Sequence, residues 1–587
     1  MSPLAHRTIA KQFEFRSPAG KLERKELNMS GYRCMQIHRR QISTLLVGAM
    51  VWLAACASLA AQPETGSEFA TVRTASGQVR GKISNDGTVE VFKGIPYAAP
   101  PVGELRFKAP RPAASWSGVR DALEAGSPCP QTGRLASTNE DCLHLNVWAP
   151  HRAKKGKLPV MVFIHGGGQR VSAAHEHNAD WLVTRGKPVV YVAMNHRLNI
   201  FAFYAHKELT AEDPQLGSGN YAALDQIQAL RWVRDNIANF GGDPKNVTIF
   251  GESGGAQATC LLMTSPIARG LFHKAISQSA PCQWQYFPSL TASEAKGADI
   301  ATQLGCKEPN PLPCLRSLPA SAILAKESGA TTDTAAAQPA WGGGIFPLSM
   351  REAFASGQIN RVPLMQGSNR DEAAFQLAPR YDGRGNPVTA EQYPTILKDF
   401  LGQSRVAAVM EQYPLAAYQS PTYALIAVLS DSGMITNNRI GHCNLHLASQ
   451  LASPHVPAYA YEFADRTAPY PAPIWDAPGN LIAAAHTKDL SYLFHLSELT
   501  PDQRKISDAM IGYWTNFATT GNPNGKGLPA WPAFKQDKQM VMKFESTSIA
   551  ADADYYSRHK CKFWAEQGFG NLSGPYPTPT MAGPAYQ

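Results

Sequence analysis

The chain has 587 residues, of which 44% are hydrophobic and 17% are charged, so it is long enough to bury the core of one large enzyme-sized unit. Its formal net charge is +9, but residues 1–61 hold nine Lys or Arg and three Glu, and this segment alone accounts for +6. The +3 that remains is too weak and too dispersed to indicate a nucleic-acid-binding protein.

Residues 1–61 have the features of a leader and export signal. Arg39 and Arg40 precede the apolar run LLVGAMVWLAACASLA, which is too short to span a bilayer and ends in small residues. Cleavage after Ala60 would release a soluble protein to the periplasm or the medium. Cleavage before Cys56, where LAAC resembles a bacterial lipoprotein signal, would instead leave a lipid anchor on that cysteine. We favour soluble export, and we predict no transmembrane span.

Eight cysteines follow the leader, and an even number of cysteines in an exported chain predicts disulfide bonds. Cys129 with Cys142, and Cys306 with Cys314, would each close a short polar loop. Eight free thiols are disfavoured in an oxidising compartment, and a zinc site is disfavoured because no Cys-x-x-Cys pair occurs.

Residues 70–99 contain two short alternating stretches, TVRTASGQVRGKI and VEVFKGIPYA, which predict a small N-terminal antiparallel hairpin region. The continuous apolar runs PVMVFIHGGG and PVVYVAMNHR are typical of strands buried on both faces of a parallel sheet. Between residues 219 and 240, apolar side chains at three- and four-residue spacing predict an amphipathic helix. Further strands are expected at KAISQS, VPLMQGS and AYAYEFA, and a long helix at DQRKISDAMIGYWTNFATTG.

This alternation predicts an α/β fold with a large, mostly parallel central sheet flanked by helices. We expect residues 62–570 to form a single catalytic domain, and the Pro- and Gly-rich residues 571–587 to be disordered. No P-loop, dinucleotide-binding fingerprint or His-Glu-x-x-His motif occurs where the strands would require it, so we predict no cofactor and no metal. His442 and His446 are one helical turn apart, but with no third ligand nearby a surface or core position is favoured for both.

Two glycine turns follow predicted strands, one at VFIHGGG and one in NVTIFGESGGAQATCLLM. A strand that ends in Gly-x-Ser-x-Gly before a helix is the sequence form of a nucleophile elbow, which lifts the serine hydroxyl above the end of the sheet. The His-Gly-Gly-Gly turn upstream offers backbone N–H groups that no side chain obstructs. We therefore predict that Ser253 is a nucleophile and that the N–H groups of Gly167, Gly168 and Gly254 form an oxyanion hole.

A serine nucleophile on a fold of this kind is followed along the chain by an acid and then by a histidine. The predicted strand and loop RVPLMQGSNRDEAAF carries Asp371 and Glu372 to the same end of the sheet as Ser253, and either carboxylate is able to orient an imidazole. His486 follows small residues in GNLIAAAHTKDLSYLF and is the favoured base. Asp489 is disfavoured as the acid because it comes after that histidine.

Several stretches, in their order along the chain, resemble the type-B carboxylesterases, the α/β-hydrolase family that includes cholinesterases and fungal lipases. They are FKGIPYAAPPVGELRFKAPRP, NEDCLHLNVWAP, FIHGGG, SGNYAALDQIQALRWVRDNIANFGGDPKNVTIFGESGG and FHKAISQSA, within about residues 70–570. The resemblance implies an α/β-hydrolase fold and a Ser-Glu-His triad without metal or cofactor, which selects Glu372 over Asp371 and places the catalytic histidine at His486. The family elbow usually has alanine after the serine, whereas this chain has Gly254, a change that keeps the backbone donor.

The resemblance also implies disulfide pairs. Family positions align Cys129 with Cys142, Cys306 with Cys314, and Cys443 with Cys561. Cys260 and Cys282 are then left to pair with each other, an inference from parity alone.

The activity that the resemblance implies is that of a serine carboxylesterase, which hydrolyses a small-molecule ester through an acyl-enzyme on Ser253. The loop between Cys129 and Cys142 contains no aromatic residue, which disfavours choline esters because no ring is offered to a quaternary ammonium. Two rival classes are an amidase and a non-catalytic binding protein on the same fold. The intact serine, acid and histidine disfavour the binding protein. Rates on an ester and its matched amide would distinguish a carboxylesterase from an amidase.

The residues after the oxyanion glycines bear on the substrate. Where many relatives have an aromatic residue, this chain has Gln169 and Arg170, and then His175 and His177. These side chains could form a polar, basic mouth that accepts a polycarboxylate or plant aromatic ester, although a solvated loop is favoured. Glu252, beside the serine, is a candidate for tuning the field at the substrate or for a buried structural role.

Overall fold

The structure is a computed structural model that describes residues 68–283, 287–307, 309–327, 337–382, 385–434, 440–471 and 483–569. These residues belong to one unit that runs from Ser67 to Gln587. The predicted leader at residues 1–61 and the predicted tail at residues 571–587 lie outside the described residues.

A mixed sheet of 13 strands crosses the described part of the chain. The strands are β1 Phe69–Thr74, β2 Gly77–Ile83, β3 Val89–Pro96, β4 Val119–Asp121, β5 His144–Pro150, β6 Leu158–Ile164, β7 Val190–Met194, β8 Gly242–Glu252, β9 Lys274–Gln278, β10 Leu364–Asn369, β11 Ala458–Phe463, β12 Val541–Glu545 and β13 Ser548–Asp552. Their order is β1-β2-β3-β5-β7-β6-β8-β9-β10-β11-β12-β13, with β4 beside β2.

The centre of the sheet is parallel and its two edges are antiparallel. The strands from β7 to β12 in this order run parallel to one another. At one edge β1, β2, β3, β5 and β7 pair antiparallel in succession, and at the other edge β13 returns antiparallel to β12. The predicted α/β fold is therefore confirmed. The predicted hairpin region is present, and its strands are part of the main sheet rather than a separate element.

Helices flank the sheet, and its strands β6 and β7 are apolar throughout: every residue of β7, and all of β6 after its first residue, is buried. The α-helices of the described residues are α1 Asp180–Thr184, α2 Asn199–Phe203, α3 Lys207–Glu212, α4 Tyr221–Asn236, α5 Gly254–Thr264, α6 Leu290–Gln303, α7 Leu312–Ser317, α8 Ala320–Leu324, α9 Met350–Ser356, α10 Ala374–Leu377, α11 Tyr393–Leu401, α12 Val406–Gln412, α13 Pro421–Ser432, α14 His442–Ala452, α15 Leu490–Leu493, α16 Pro501–Thr520, α17 Tyr555–Arg558 and α18 Cys561–Glu566. Short 3₁₀ turns lie at Gly103–Leu105, Ala174–Glu176, Ile237–Phe240, Pro266–Ala268, Gln403–Arg405 and Leu415–Ala417. None of the helices in the described ranges is long and apolar enough to cross a membrane.

The functional end of the sheet is set by its parallel strands. The carboxyl ends of β6, β8, β9 and β10 meet at one edge because neighbouring parallel strands point the same way. The two predicted glycine turns follow β6 and β8, and the predicted acids follow β10. The fold therefore brings residues from distant parts of the sequence to one face of the molecule.

Four disulfides join the pairs that the sequence predicts. They are Cys129–Cys142, Cys260–Cys282, Cys306–Cys314 and Cys443–Cys561. Four disulfides are consistent with a protein that is exported to an oxidising compartment.

We predict that the disulfides differ in their contribution to stability according to the length of chain that they close. Replacing Cys443 and Cys561, which are 118 residues apart, by Ala should lower the free energy of unfolding by about 5 kcal/mol in the chain-entropy model. Replacing Cys306 and Cys314, which are 8 residues apart, should lower it by only about 2.5 kcal/mol. Urea unfolding followed by tryptophan fluorescence measures both, and equal losses would contradict the prediction.

Candidate active site

The nucleophile elbow lies between β8, which ends at Glu252, and α5, which begins at Gly254. Ser253 between them has φ 54° and ψ −119°, a conformation that costs a residue with a side chain about 1–3 kcal/mol. Strand β9 holds the serine in this conformation, because the Ser253 N–H donates to the carbonyl of Gln278 at 2.8 Å. The serine is only partly buried, so the turn presents its hydroxyl at the end of the sheet.

The acid that contacts the predicted base is Glu372. His486 Nδ1 lies 2.5 Å from Glu372 Oε2, and both side chains are buried. The other oxygen, Glu372 Oε1, accepts the Asn369 N–H at 2.8 Å, so the carboxylate is fixed at both ends. Asp371 lies elsewhere: it accepts two hydrogen bonds from Arg466, each of 2.8 Å. The two neighbouring acids thus have separate roles, one at the imidazole and one in a loop ion pair.

Glu252 lies on the other side of the imidazole from Glu372. Its Oε1 is 3.2 Å from His486 Nε2, and the side chain is buried. Burial raises the pKa of Glu252 to about 8, against the opposing effect of His486. Burial acts to lower the pKa of His486, but Glu252 and Glu372 outweigh it and raise that pKa to about 9. The imidazole therefore binds its proton more tightly than a solvated histidine does.

A third buried carboxylate, Asp489, connects the strand ends next to Glu372 and the elbow. Asp489 is fully buried and accepts hydrogen bonds from Gln278 Nε2 at 2.7 Å and Asn369 Nδ2 at 3.2 Å. Gln278 ends β9 and Asn369 ends β10, so one carboxylate ties together the strand ends that carry the elbow contact and Glu372. Burial raises the pKa of Asp489 to about 6. This role was not predicted from the sequence, although an amide side chain ends both β9 and β10.

The predicted oxyanion donors come from the turn after β6 and from the start of α5. Gly167 and Gly168 have φ 89° and φ 62°, which glycine adopts without strain. Within the described residues, the N–H groups of Gly167, Gly168 and Gly254 donate to no protein acceptor. A Cβ atom on Gly254 would lie 2.7 Å from the nitrogen of Gln169 and 2.9 Å from that of Gly168. Glycine after the serine therefore allows the turn to approach the elbow more closely than an alanine would.

The side chains predicted to form a basic mouth are mostly buried or paired, which reduces the positive charge that they present. Arg170 forms an ion pair with Glu327 and donates to the Glu327 carbonyl at 3.0 Å, and the exposed fractions of the two side chains are 15% and 2%. Gln169 is buried and its Nε2 donates to Gln257 Oε1 at 3.2 Å on α5. His177 is buried against aromatic rings, and only His175 is exposed. Glu327 is 157 residues from Arg170, so no local pattern indicates this neutralising partner.

One group among the described residues has the spacing that a metal ion would need, namely Asp431, His442 and His559. The two imidazole rings are stacked, with centroids 3.7 Å apart and 24° between their planes, so their in-plane lone pairs do not converge on one ion. Both nitrogens of His559 already face carboxylates, Asp431 Oδ1 at 2.6 Å and Glu462 Oε1 at 3.2 Å. We assign the group to charge pairing in the core. His446 is buried and is not part of it.

Comparisons with known proteins agree on one family. A family model described as the carboxylesterase family matches residues 68–564. Carboxylesterase 1C of Rattus norvegicus is 32% identical over 558 residues, which cover 88% of this chain and 96% of that protein. Fumonisin B1 esterase of Sphingopyxis macrogoltabida is 32% identical over 496 residues, or 81% of this chain and 86% of that protein. A solved structure of a PNB esterase matches with TM-score 0.67 and 30% identity, over 84% of this chain and 99% of that chain.

We predict that Glu252 sets the pH at which Ser253 becomes reactive. If His486 is the base, its neutral form is needed to deprotonate the serine, so the rate of labelling by a fluorophosphonate should rise with pH through the pKa of His486, which is raised to about 9. Glu252→Gln removes a negative charge 3.2 Å from His486 Nε2 and should move this rise to lower pH. Asp371→Asn is the matched control, because that carboxylate pairs with Arg466 instead. An unchanged pH profile in Glu252→Gln would refute the assignment.

Proposed function

The chain belongs to the carboxylesterase family and hydrolyses carboxylic esters, and we propose that it does so through an acyl-enzyme on Ser253, with His486 as the base and Glu372 as its orienting acid. The observations that carry this proposal are the 2.5 Å contact between His486 Nδ1 and the buried Glu372, and the position of Ser253 in the turn between β8 and α5. A serine, an imidazole and a carboxylate in this relation are the groups that acyl transfer uses.

In the first half of the reaction, Ser253 Oγ attacks the ester carbonyl while His486 Nε2 takes the hydroxyl proton. The bond from the carbonyl carbon to the alcohol oxygen then breaks, and His486 gives its proton to the departing alcohol. In the second half, water loses a proton to the same nitrogen and attacks the acyl-enzyme. The carboxylic acid leaves and the proton returns to Ser253 Oγ.

The carboxylates support the proton transfers. Glu372 accepts a hydrogen bond from Nδ1, which leaves Nε2 as the basic nitrogen and stabilises the imidazolium that forms. Glu252, 3.2 Å from Nε2 at its nearer oxygen, adds to this stabilisation whenever it is ionised.

The N–H groups of Gly167, Gly168 and Gly254 are the donors that we assign to the oxyanion of the tetrahedral intermediate. Their lack of acceptors within the described residues, and the close approach of the turn to the elbow, support this role. Removal of one donor from such a hole typically lowers turnover by about 10²- to 10³-fold.

For the substrate, we propose a small ester that carries no quaternary ammonium. A second candidate is an ester of a polycarboxylic acid or a plant aromatic ester, and two observations bear on it. One relative is a fumonisin B1 esterase, so the family includes a protein named for its activity on one particular ester. The position of Arg170, close to the oxyanion glycines in the sequence, favours an acidic substrate. Its pairing with Glu327 reduces the positive charge that is available to such a substrate.

We propose that residues 62–570 form the single catalytic domain and that residues 1–61 direct export to the periplasm or the medium. The four disulfides support export, and the signal-like pattern around Arg39 and Arg40 supports the assignment of the leader. Lipidation of Cys56 is the alternative outcome of processing, and mass spectrometry of the mature N-terminus distinguishes the two.

We predict that the mature protein hydrolyses p-nitrophenyl acetate, butyrate and octanoate, and that Ser253→Ala abolishes this because no acyl-enzyme can form. Glu372→Gln should lower kcat by about 10³- to 10⁴-fold, whereas Asp371→Asn should retain kcat within about threefold. The p-nitroanilide that matches the butyrate ester tests the amidase alternative. Full activity in Ser253→Ala or in Glu372→Gln would overturn the triad, and faster cleavage of the anilide would overturn the ester assignment.

We predict that Arg170 sets the preference for acidic esters if the second candidate is correct. The probes are p-nitrophenyl butyrate and p-nitrophenyl hemisuccinate, which have acyl chains of similar length and differ in a terminal carboxylate. Arg170→Ala should lower the hemisuccinate-to-butyrate ratio of kcat/KM by up to about fivefold, as expected for a partly exposed charge. Glu327→Gln should raise the same ratio by freeing the guanidinium. Ratios that stay constant in both variants would eliminate the polycarboxylate candidate.

A further inference from the structure

The oxyanion turn, residues 166–172, contains four residues with positive φ. Gly167 and Gly168 have positive φ, and so do Gln169 at 60° and Ser172 at 90°, although these last two carry side chains. Residues with a side chain remain in such conformations only when their surroundings hold them there. The contacts at the two ends of the turn therefore decide where its N–H groups point.

At the far end of the turn, the carboxamide of Gln131 holds Ser172 by both of its backbone groups. The Ser172 N–H donates to Gln131 Oε1 at 2.8 Å, and Gln131 Nε2 donates to the Ser172 carbonyl at 3.0 Å. Gln131 is only 2% exposed, so neither bond competes with solvent. The carboxamide thus makes the two hydrogen bonds to Ser172 that a residue of an adjacent strand would otherwise make.

Gln131 is itself fixed by the disulfide loop, residues 129–142. Its backbone N–H and carbonyl both pair with Ser137, at 2.9 Å each, and its Nε2 also donates to the Cys129 carbonyl at 3.1 Å. The Cys129–Cys142 bond closes this loop. The carboxamide is therefore held in place before it contacts the turn.

A second contact links the same loop to the middle of the turn. The Asn199 N–H donates to the Gln169 carbonyl at 2.9 Å, and Asn199 Nδ2 donates to the Pro130 carbonyl at 2.8 Å. Asn199 is buried and has φ 49°, so it too is constrained. Gln131 and Pro130 are adjacent in sequence, and the disulfide loop thus holds two of the strained residues at once.

A third contact runs through Glu176. Its Oε2 accepts the Ser172 hydroxyl at 2.7 Å, and its other oxygen pairs with Arg134 of the disulfide loop. Arg134 is the only strongly exposed group of the three contacts described here, with 45% of its side chain accessible. The ion pair is therefore more easily screened than the carboxamide clamp.

We propose that Gln131 is a positioning residue for the oxyanion hole: its carboxamide transmits the rigidity of the disulfide loop to the turn that carries the Gly167 and Gly168 N–H groups. The inference rests on the proposed function, since it presupposes that these groups bind an oxyanion. Such donors act only when they lie within hydrogen-bond distance of the oxygen that becomes charged, so a small displacement of the turn lowers turnover without removing any catalytic group.

The test compares Gln131→Ala with the wild-type protein, both with disulfides intact. The substrate is p-nitrophenyl butyrate, and the second probe is a trifluoromethyl ketone, which forms a tetrahedral oxyanion on Ser253. We expect kcat to fall by about tenfold to a hundredfold, KM to change by less than about twofold, and the inhibitor to bind more weakly by the same factor as kcat/KM. A role confined to folding would leave kcat per folded molecule and inhibitor affinity unchanged.

Gln131→Glu keeps the inference testable if the alanine variant does not fold. A glutamate can still accept the Ser172 N–H, but it cannot donate to the Ser172 or Cys129 carbonyls when ionised. Its second carboxylate oxygen would face these two carbonyl oxygens and be repelled by them, so we expect kcat to fall at least as far as in Gln131→Ala.

Asn220→Ala is the matched control. Asn220 holds Ala340 by the same kind of clamp, with its Nδ2 donating to the carbonyl at 2.8 Å and its Oδ1 accepting the N–H at 3.0 Å. It is buried to a similar degree and makes no hydrogen bond to the oxyanion turn within the described residues. We expect this variant to lose a comparable amount of thermal stability and to keep its kcat and inhibitor affinity.

The results distinguish a failure of this inference from a failure of the proposed function. A selective loss of kcat and inhibitor affinity in the Gln131 variants, without such a loss in Asn220→Ala, supports the inference. An active wild-type protein with unchanged kcat in both Gln131 variants overturns the inference alone. A wild-type protein that neither turns over the ester nor reacts with a fluorophosphonate overturns the proposed function, and the inference with it.

Discussion

The close packing of the elbow against the end of β6 is the constraint on which the rest of the site depends. A Cβ atom on Gly255 would lie 1.9 Å from the Ile164 carbonyl oxygen, and one on Gly254 would lie 2.7 Å from the nitrogen of Gln169. Only backbone fits in this space, so the start of α5 and the oxyanion turn can bring their N–H groups to the same side of Ser253. Ser253, Gln169 and Ser172 have positive φ next to this close contact, and each is held by hydrogen bonds with other segments.

The second organising feature is a single imidazole among three buried carboxylates, which would be unfavourable if all three were ionised without partners. The structure deals with each one differently. Glu372 pairs with His486 and a backbone N–H, and Asp489 accepts two side-chain amides. Glu252 has fewer partners, and burial raises its pKa to about 8, which disfavours its ionised form. The His486 imidazole is thus surrounded by groups that stabilise its charged form to different degrees.

Polar contacts around the site come largely from segments far away in the sequence, and they explain where sequence reasoning failed. Arg170 follows the oxyanion glycines and suggested a basic mouth, but Glu327 neutralises it from 157 residues away. Gln131 showed no pattern that marks a functional residue, yet it contacts Ser172 from 41 residues away. No local periodicity encodes such pairs, because their proximity results from the order of strands in the sheet and from the path of the loops between them.

The sequence by itself determined the features that contiguous residues encode. Apolar runs predicted the parallel strands, and Gly-x-Ser-x-Gly predicted the elbow at Ser253, because hydrophobic burial and glycine turns leave local patterns. The paired strands β12 and β13 were not predicted, since they are short and partly exposed and so lack a clear alternation. The choice of Glu372 over Asp371 needed a family resemblance, since both carboxylates follow the same strand. Only the tertiary structure decided what each polar group contacts, because a buried charge takes its partner from whichever strand end or loop the fold places within hydrogen-bond distance.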